Sequence, residues 1–249
     1  MDFDRRGWAH GTRALVASLV LAGPGAAEAV TVYAASLLRE AFPGIAAAPT
    51  YSFLGSDALA TQIRSGAPAD VFASASTRYT QELFAEGRCA GPRLFATNVV
   101  VLVVPKDNPA GIRSVHDLDR GPRKRLAMAS AATPIGSYTR TLLARLGLSD
   151  VLVRNTVSTE PNVAGIVGKV GLGSADAGLV YVTDHRAARD RLTAIPLPSA
   201  AQPPVRYELC AVRRPGADGR AAARFVRQVL SPGGRQALRA AGFGLPVLP

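Results

Sequence analysis

Residues 30–42 (VTVYAASLLREAF) and 51–63 (YSFLGSDALATQI) constrain the fold more than any other part of the chain. Each begins as a strand-like apolar run, breaks at a small residue and a serine, and continues with helical spacing. A helix start carries backbone N–H groups with no intrahelical partner and the positive end of the helix dipole. A serine there can cap the helix, or it can aim its hydroxyl at an anion held by the same N–H groups. Ser36 and Ser56 therefore read either as two ordinary N-caps or as two walls of an anion cradle.

From Val30 onward apolar runs alternate with helical patterns. Strands are predicted at Val30–Ala34, Thr50–Phe53, Asp70–Ala73, Val99–Val104, Leu126–Ala129, Leu152–Val157, Ala177–Val182 and Tyr207–Val212. Such alternation argues for an α/β protein with mostly parallel sheets. No internal repeat, coiled coil or low-complexity tract is visible. Two segments read as crossings between lobes: residues 99–111 (VVVLVVPKDNPAG) and residues 196–204 (PLPSAAQPP), where proline and turn chemistry punctuate the chain. On this reading residues 30–111 and 201–249 build one discontinuous lobe and residues 112–200 a second, inserted lobe. Hinges are expected near Val104–Asn108 and Ala200–Val205, and the ligand cleft between the lobes.

Residues 1–29 read as a removable export signal. Arg5, Arg6 and Arg13 form a basic start, residues 14–22 (ALVASLVLA) a short apolar segment, and Ala27-Glu28-Ala29 a small-x-small cleavage site. The apolar segment is too short to span a bilayer. Arg5-Arg6 leaves both the general and the twin-arginine export routes open. The acids and arginines of this segment cancel, so the whole net charge of +11 belongs to the remaining chain. Its arginines are scattered apart from Arg123-Lys124-Arg125, with no interleaved aromatic residues, so nucleic acid is not an expected partner. Attraction of small anions is. Cys89 and Cys210 would share an oxidising compartment and could pair. Nothing in the sequence limits the distance between them, and separate buried thiols are the expectation.

Catalytic motifs are absent. There is no G-x-S-x-G elbow, no H-E-x-x-H and no paired-cysteine metal site, and Gly168-Lys169 does not sit in a P-loop. Asp184 and His185 are adjacent, and neighbours in sequence do not face one another on a helix. What stands at the predicted strand ends is neutral and rich in donors. Ser36 and Ser56 are joined by helix starts at residues 133–138 (TPIGSY) and 159–165 (TEPNVAG), and Tyr181 ends a strand. Hydroxyls and backbone N–H groups can hold a fully ionised tetrahedral oxyanion without charged side chains.

Residues 34–37 (AASL), 52–74 (SFLGSDALATQIRSGAPADVFAS), with GAPADVF at 66–72, and 178–181 (GLVY) resemble the periplasmic molybdate-binding proteins of ABC importers, the ModA family. The likeness runs from Val30 to residues 241–246. It implies a type II periplasmic-binding fold, two lobes closing on molybdate or tungstate, and five ligand positions: Ser36, Ser56, the backbone N–H of Ile135, that of Val163, and the Tyr181 hydroxyl. Ile135 stands where the family usually has a small residue, and Asp57 where serine is common. Asp57 is expected to point outward and favour the helix dipole. The resemblance further implies a monomer without cofactor or bare metal ion, delivering its oxyanion to an ABC permease driven by a cytoplasmic ATPase. Rival readings are a binder of sulfate, thiosulfate or another small oxyanion, an exported α/β enzyme using Asp70, Asp184 or His185, and a ligand-sensing regulatory domain.

Overall fold

The structure, a computed structural model, describes residues 29–246. The expected export signal lies outside the described residues but for Ala29. Ten strands run in order among the described residues: β1 Thr31–Ala35, β2 Thr50–Leu54, β3 Val71–Ser74, β4 Cys89–Asn98, β5 Val100–Pro105, β6 Leu126–Ala129, β7 Thr156–Glu160, β8 Ala177–Tyr181, β9 Leu192–Ile195 and β10 Val205–Val212. The helices are α1 Phe42–Ile45, α2 Ser56–Arg64, α3 Thr77–Ala85, α4 Pro134–Arg145, α5 Asp150–Asn155, α6 Val163–Gly171, α7 Val182–Ala187, α8 Gly219–Leu230 and α9 Pro232–Ala240, with a 3-10 turn at Ser36–Glu40.

The strands form two five-stranded sheets, ordered β2-β1-β3-β10-β4 and β7-β6-β8-β5-β9. In each, three parallel strands are followed by one antiparallel strand and an edge strand. Parallel strands flanked by helices must be apolar on both faces, and β3, β6 and β8 are buried at every position. The buried face of α2 is Ser56, Leu59, Ala60 and Ile63, at the three-and-four spacing that lays one side of a helix on a sheet. Gly178 lets α6 sit directly on β8: a Cβ there would come within 2.4 Å of Ile166 Cγ2.

The chain leaves the first sheet at Asn98 and enters the second at Val100, with Val99 as the only residue between. The sequence reading placed residues up to 111 in the first lobe, but β5 pairs with β8 and β9 of the second sheet. The switch therefore precedes the apolar run rather than following it, and Val104–Asn108 is not the crossing. Asn98 pins the switch. It is buried, its Nδ2 donates to Thr183 Oγ1 (2.9 Å) and to the Tyr207 hydroxyl (3.2 Å), and its Oδ1 accepts the Val99 N–H (2.9 Å). The return runs from β9 through a short 3-10 turn at Ser199–Ala201 into β10. A second correction concerns Leu152–Asn155, expected as strand and found in α5, so that β7 begins only at Thr156.

Cys89 and Cys210 form a disulfide, with Cα atoms 5.8 Å apart. The expectation of separate thiols fails because β10 returns beside β4, its antiparallel partner, and brings the two cysteines together. The bridge sits in a subsidiary core with Leu59, Phe72, Tyr79 and Leu83. A chain of tilted and edge-on aromatic rings runs from Phe42 through Phe95 and Tyr207 to Tyr181, linking the first sheet's core to the second's.

Candidate functional site

Four helical segments begin at the carboxyl ends of parallel strands and point their N-termini at one small cavity between the sheets. The 3-10 turn follows β1, α2 follows β2, α4 follows β6 and α6 follows β7. The cavity, about 20 Å³, is lined by residues of all four, including Ser36, Ser56, Ile135, Val163 and Tyr181. The structure thus brings all five sequence-predicted positions to one place. Ser56, Ile135, Val163 and Tyr181 are buried and Ser36 is half-buried. The volume suits one compact ion rather than an extended ligand, since a single water already needs about 10–15 Å³.

The capping pattern decides which N–H groups remain free there. Neither serine is an N-cap. The caps are Ala35 and Gly55, which have no side-chain acceptor, and Ser36 and Ser56 are the first residues of their segments. In α4 the Thr133 hydroxyl accepts the Gly136 N–H at 3.0 Å, passing over Ile135. In α6 the Asn162 side chain accepts from Ala164 and Gly165, passing over Val163. Each cap satisfies the deeper donors and leaves the N–H of a cavity-lining residue uncapped. Thr133 and Asn162 are cavity-lining caps that residue-by-residue reading did not single out. Their signal was present in the T-P-I-G and N-V-A-G starts.

Hydroxyls complete the lining. Ser56 Oγ accepts the Ala75 N–H at 3.0 Å, which uses an oxygen lone pair and leaves its proton free to donate. The Tyr181 hydroxyl is buried and has no hydrogen-bond partner among the described residues. Burial pushes its phenol well above the ordinary range, with the Tyr207 and Tyr138 phenols and the Asp184 carboxylate adding to the effect, so it remains a donor. No charged side chain lines the cavity among the described residues. It offers hydroxyl protons, free N–H groups and four helix N-termini, a setting for an acceptor-only anion.

Two close approaches shape the walls. A Cβ on Gly136 would come within 1.9 Å of the Ser130 carbonyl oxygen, so the first turn of α4 rests on the backbone of the preceding loop. A Cβ on Gly55 would come within 2.9 Å of the Pro161 carbonyl oxygen, which belongs to the opposite lobe. Asp57 departs from its expectation. It does not line the cavity, but it is not directed outward either: its Oδ1 is buried without a hydrogen-bond partner among the described residues, packed beside Gly55.

The residues of the enzyme reading serve the fold. Asp70 accepts the Thr31 N–H at 2.9 Å and pairs with Arg214 at 2.7 Å. Asp184 accepts the Tyr181 N–H at 2.9 Å, and burial raises its pKa to about 7. Neither residue nor His185 lines the cavity.

Comparison with known proteins agrees with this architecture. The family described as bacterial extracellular solute-binding protein matches residues 19–244. The molybdate-binding protein ModA of Mycobacterium tuberculosis is 37% identical over 238 residues, covering 90% of this chain and 88% of that protein. Among solved structures, the periplasmic molybdate-binding protein of Azotobacter vinelandii superposes with a TM-score of 0.77 at 21% identity, covering 88% of this chain and all of that one. The sulfate-binding protein SubI of M. tuberculosis shares the fold, with a TM-score of 0.74 at 17% identity over 86% of each chain. With the two-lobed α/β fold and a donor-lined cavity between the sheets, these likenesses make the chain a solute-binding protein rather than an enzyme, and it belongs to the ModA family of bacterial extracellular solute-binding proteins.

Proposed function

We propose that this protein captures molybdate, and tungstate with it, outside the cytoplasm and delivers it to the membrane permease of an ABC importer. One observation carries the reading: a cavity the size of a single compact ion, lined by neutral residues among those described, with the N-termini of four helical segments converging on it. The Ser36, Ser56 and Tyr181 hydroxyls and the Ile135 and Val163 N–H groups donate to the oxyanion's oxygens. The two serines stand on the first sheet's side and the other three on the second's, so one ion in contact with both sets favours the closed arrangement. Neutral donors hold a dianion without an opposing charge, which keeps release to the permease feasible. Residues 1–29 act as a cleaved export signal, and mass spectrometry of the exported protein is expected to show a chain beginning at Val30.

Selectivity follows from a lining rich in donors and without a carboxylate. Hydrogen phosphate carries an O–H that would find no carboxylate here, and an unpaired buried donor costs about 1–3 kcal/mol. Sulfate is acceptor-only as well, and a sulfate-binding protein shares the fold, so the lining alone does not separate it from molybdate. The test is thermal unfolding of the mature protein with molybdate, tungstate, sulfate and phosphate side by side. A ligand that binds only the folded state stabilises it by about 2.7 kcal/mol at one hundred times Kd. Molybdate and tungstate are expected to raise the midpoint, and phosphate to leave it unchanged. A shift with sulfate and none with molybdate would reassign the ligand.

A further inference from the structure

The ring of Tyr79, on α3, is embedded in the first lobe's subsidiary core beside Phe72, Leu83 and the Cys89–Cys210 bridge. Its hydroxyl leaves that core and donates to the carbonyl oxygen of Ala132, which belongs to the opposite lobe. Ala132 is exposed, so in separated lobes water would take the place of this bond. The loop it clamps is tied by its own hydrogen bonds. Thr133 N–H and Oγ1 both donate to the Ser130 carbonyl, and Ala132 N–H donates to Ser130 Oγ at 3.2 Å. The next residues are Pro134 and Ile135, which line the cavity, and Gly136 rests on Ser130. Tyr79 does not line the cavity itself.

We propose that Tyr79 is a positioning residue that latches the closed lobes: its hydroxyl holds the Ser130–Thr133 loop, fixes the start of α4, and retains the bound oxyanion without touching it. The bond exists only in the closed arrangement, and only such differential contacts move an opening–closing equilibrium. The ring is anchored by its own lobe in both arrangements, so little side-chain ordering is lost when the latch engages. Removing one neutral hydrogen bond of this kind corresponds to a two- to tenfold loss of affinity, and the loss falls on the dissociation rate because encounter with the open form is unchanged.

The inference rests on the oxyanion reading, and the experiment separates the two. Wild type and Tyr79→Phe are compared by titration calorimetry and stopped-flow dissociation with molybdate and with tungstate, and by denaturant melts without ligand. Tyr79→Phe is expected to weaken both anions by the same two- to tenfold factor, through faster dissociation, with the ligand-free melt unchanged. Wild-type affinity and dissociation rate in the variant would overturn the latch. So would an affinity loss accompanied by an equal loss of ligand-free stability, which is what a purely structural tyrosine would give. If the wild type binds neither anion, the oxyanion reading fails by itself. The latch is then read from the distance distribution between spin labels on the two lobes of ligand-free protein. A larger closed fraction in wild type than in Tyr79→Phe supports it, and equal fractions overturn it.

Discussion

Ser36 and Ser56 look equivalent in the sequence, yet their surroundings predict different mutants. The Ser36 hydroxyl makes no hydrogen bond among the described residues and caps nothing. Ser36→Ala is therefore expected to lose about tenfold or more in oxyanion affinity, the worth of one hydrogen bond to a charged group, with folding stability unchanged. Ser56 also accepts the buried Ala75 N–H. Ser56→Ala strands that donor and is expected to lose a similar factor in affinity and about 1–3 kcal/mol of stability as well. Calorimetry and ligand-free denaturant melts on the two variants check the contrast. Asp184 gives a prediction in pH. Burial lifts its pKa to about 7, against about 3.9 in an unfolded chain, with the N–H donors of Tyr181 and of Asp184 itself pulling the other way. The native state holds this proton more tightly than the unfolded state. Its contribution is complete below pH 4, is lost as pH rises to about 7, and stays lost above. Asp184→Asn keeps an oxygen for the Tyr181 N–H and is expected to flatten the stability profile across that window in urea melts. At this scale the sequence was informative about donors, because serine, tyrosine and helix-start patterns are local. The inward tuck of Asp57 and the second bond of Ser56 were not legible. The Ser56 bond depends on a chain segment distant in sequence, at Ala75, and the Asp57 position on burial that its helix-start pattern does not encode.

At the scale of elements, the site depends on where four helical segments begin, to within a fraction of a turn. Gly136 is the most sensitive of these settings. Gly136→Ala would drive a methyl group into the Ser130 and Ala129 carbonyls and push the start of α4 off its loop. Overpacking of this kind costs about 1–3 kcal/mol. Because Ile135 moves with the turn, oxyanion affinity is expected to fall with stability, as calorimetry and melts on the variant would show. The helical course of α2 was readable from the spacing of its apolar residues. The elements that escaped did so for identifiable reasons. β4 contains Gly91 and Pro92, which argue against a central strand, yet it lies at a sheet edge where proline is tolerated, and its pairing with β10 carries two register shifts. β9 is four residues long. The run Val151-Leu152-Val153 has strand-like composition, but Val151 is buried and Val153 is 87% exposed, the signature of a short surface helix that a few apolar residues cannot distinguish from a strand.

At the scale of the whole molecule, the two sheets repeat one topology although no repeat is visible in the sequence. Burial requirements on parallel strands fix a pattern of residue types, not residue identities, so the architecture can recur with nothing left to align. The alternation of strands and helices pointed to such sheets. The boundary between them was misplaced because β4 went unrecognised and β5 was read as the link rather than as a member of the second sheet. The disulfide ties the strand that feeds the inserted lobe to the strand that receives the chain back. Its cysteines are 121 positions apart, and removing a native bridge typically costs about 2–5 kcal/mol, so the Cys89→Ala, Cys210→Ala double variant is expected to melt earlier by that amount in denaturant. The same bridge has a consequence for chain integrity. All of β5 to β9 lies between its two ends, so the second lobe is a covalently closed ring. A protease that cuts once anywhere in that lobe divides the backbone without dividing the molecule, and the pieces part only when a reductant is added.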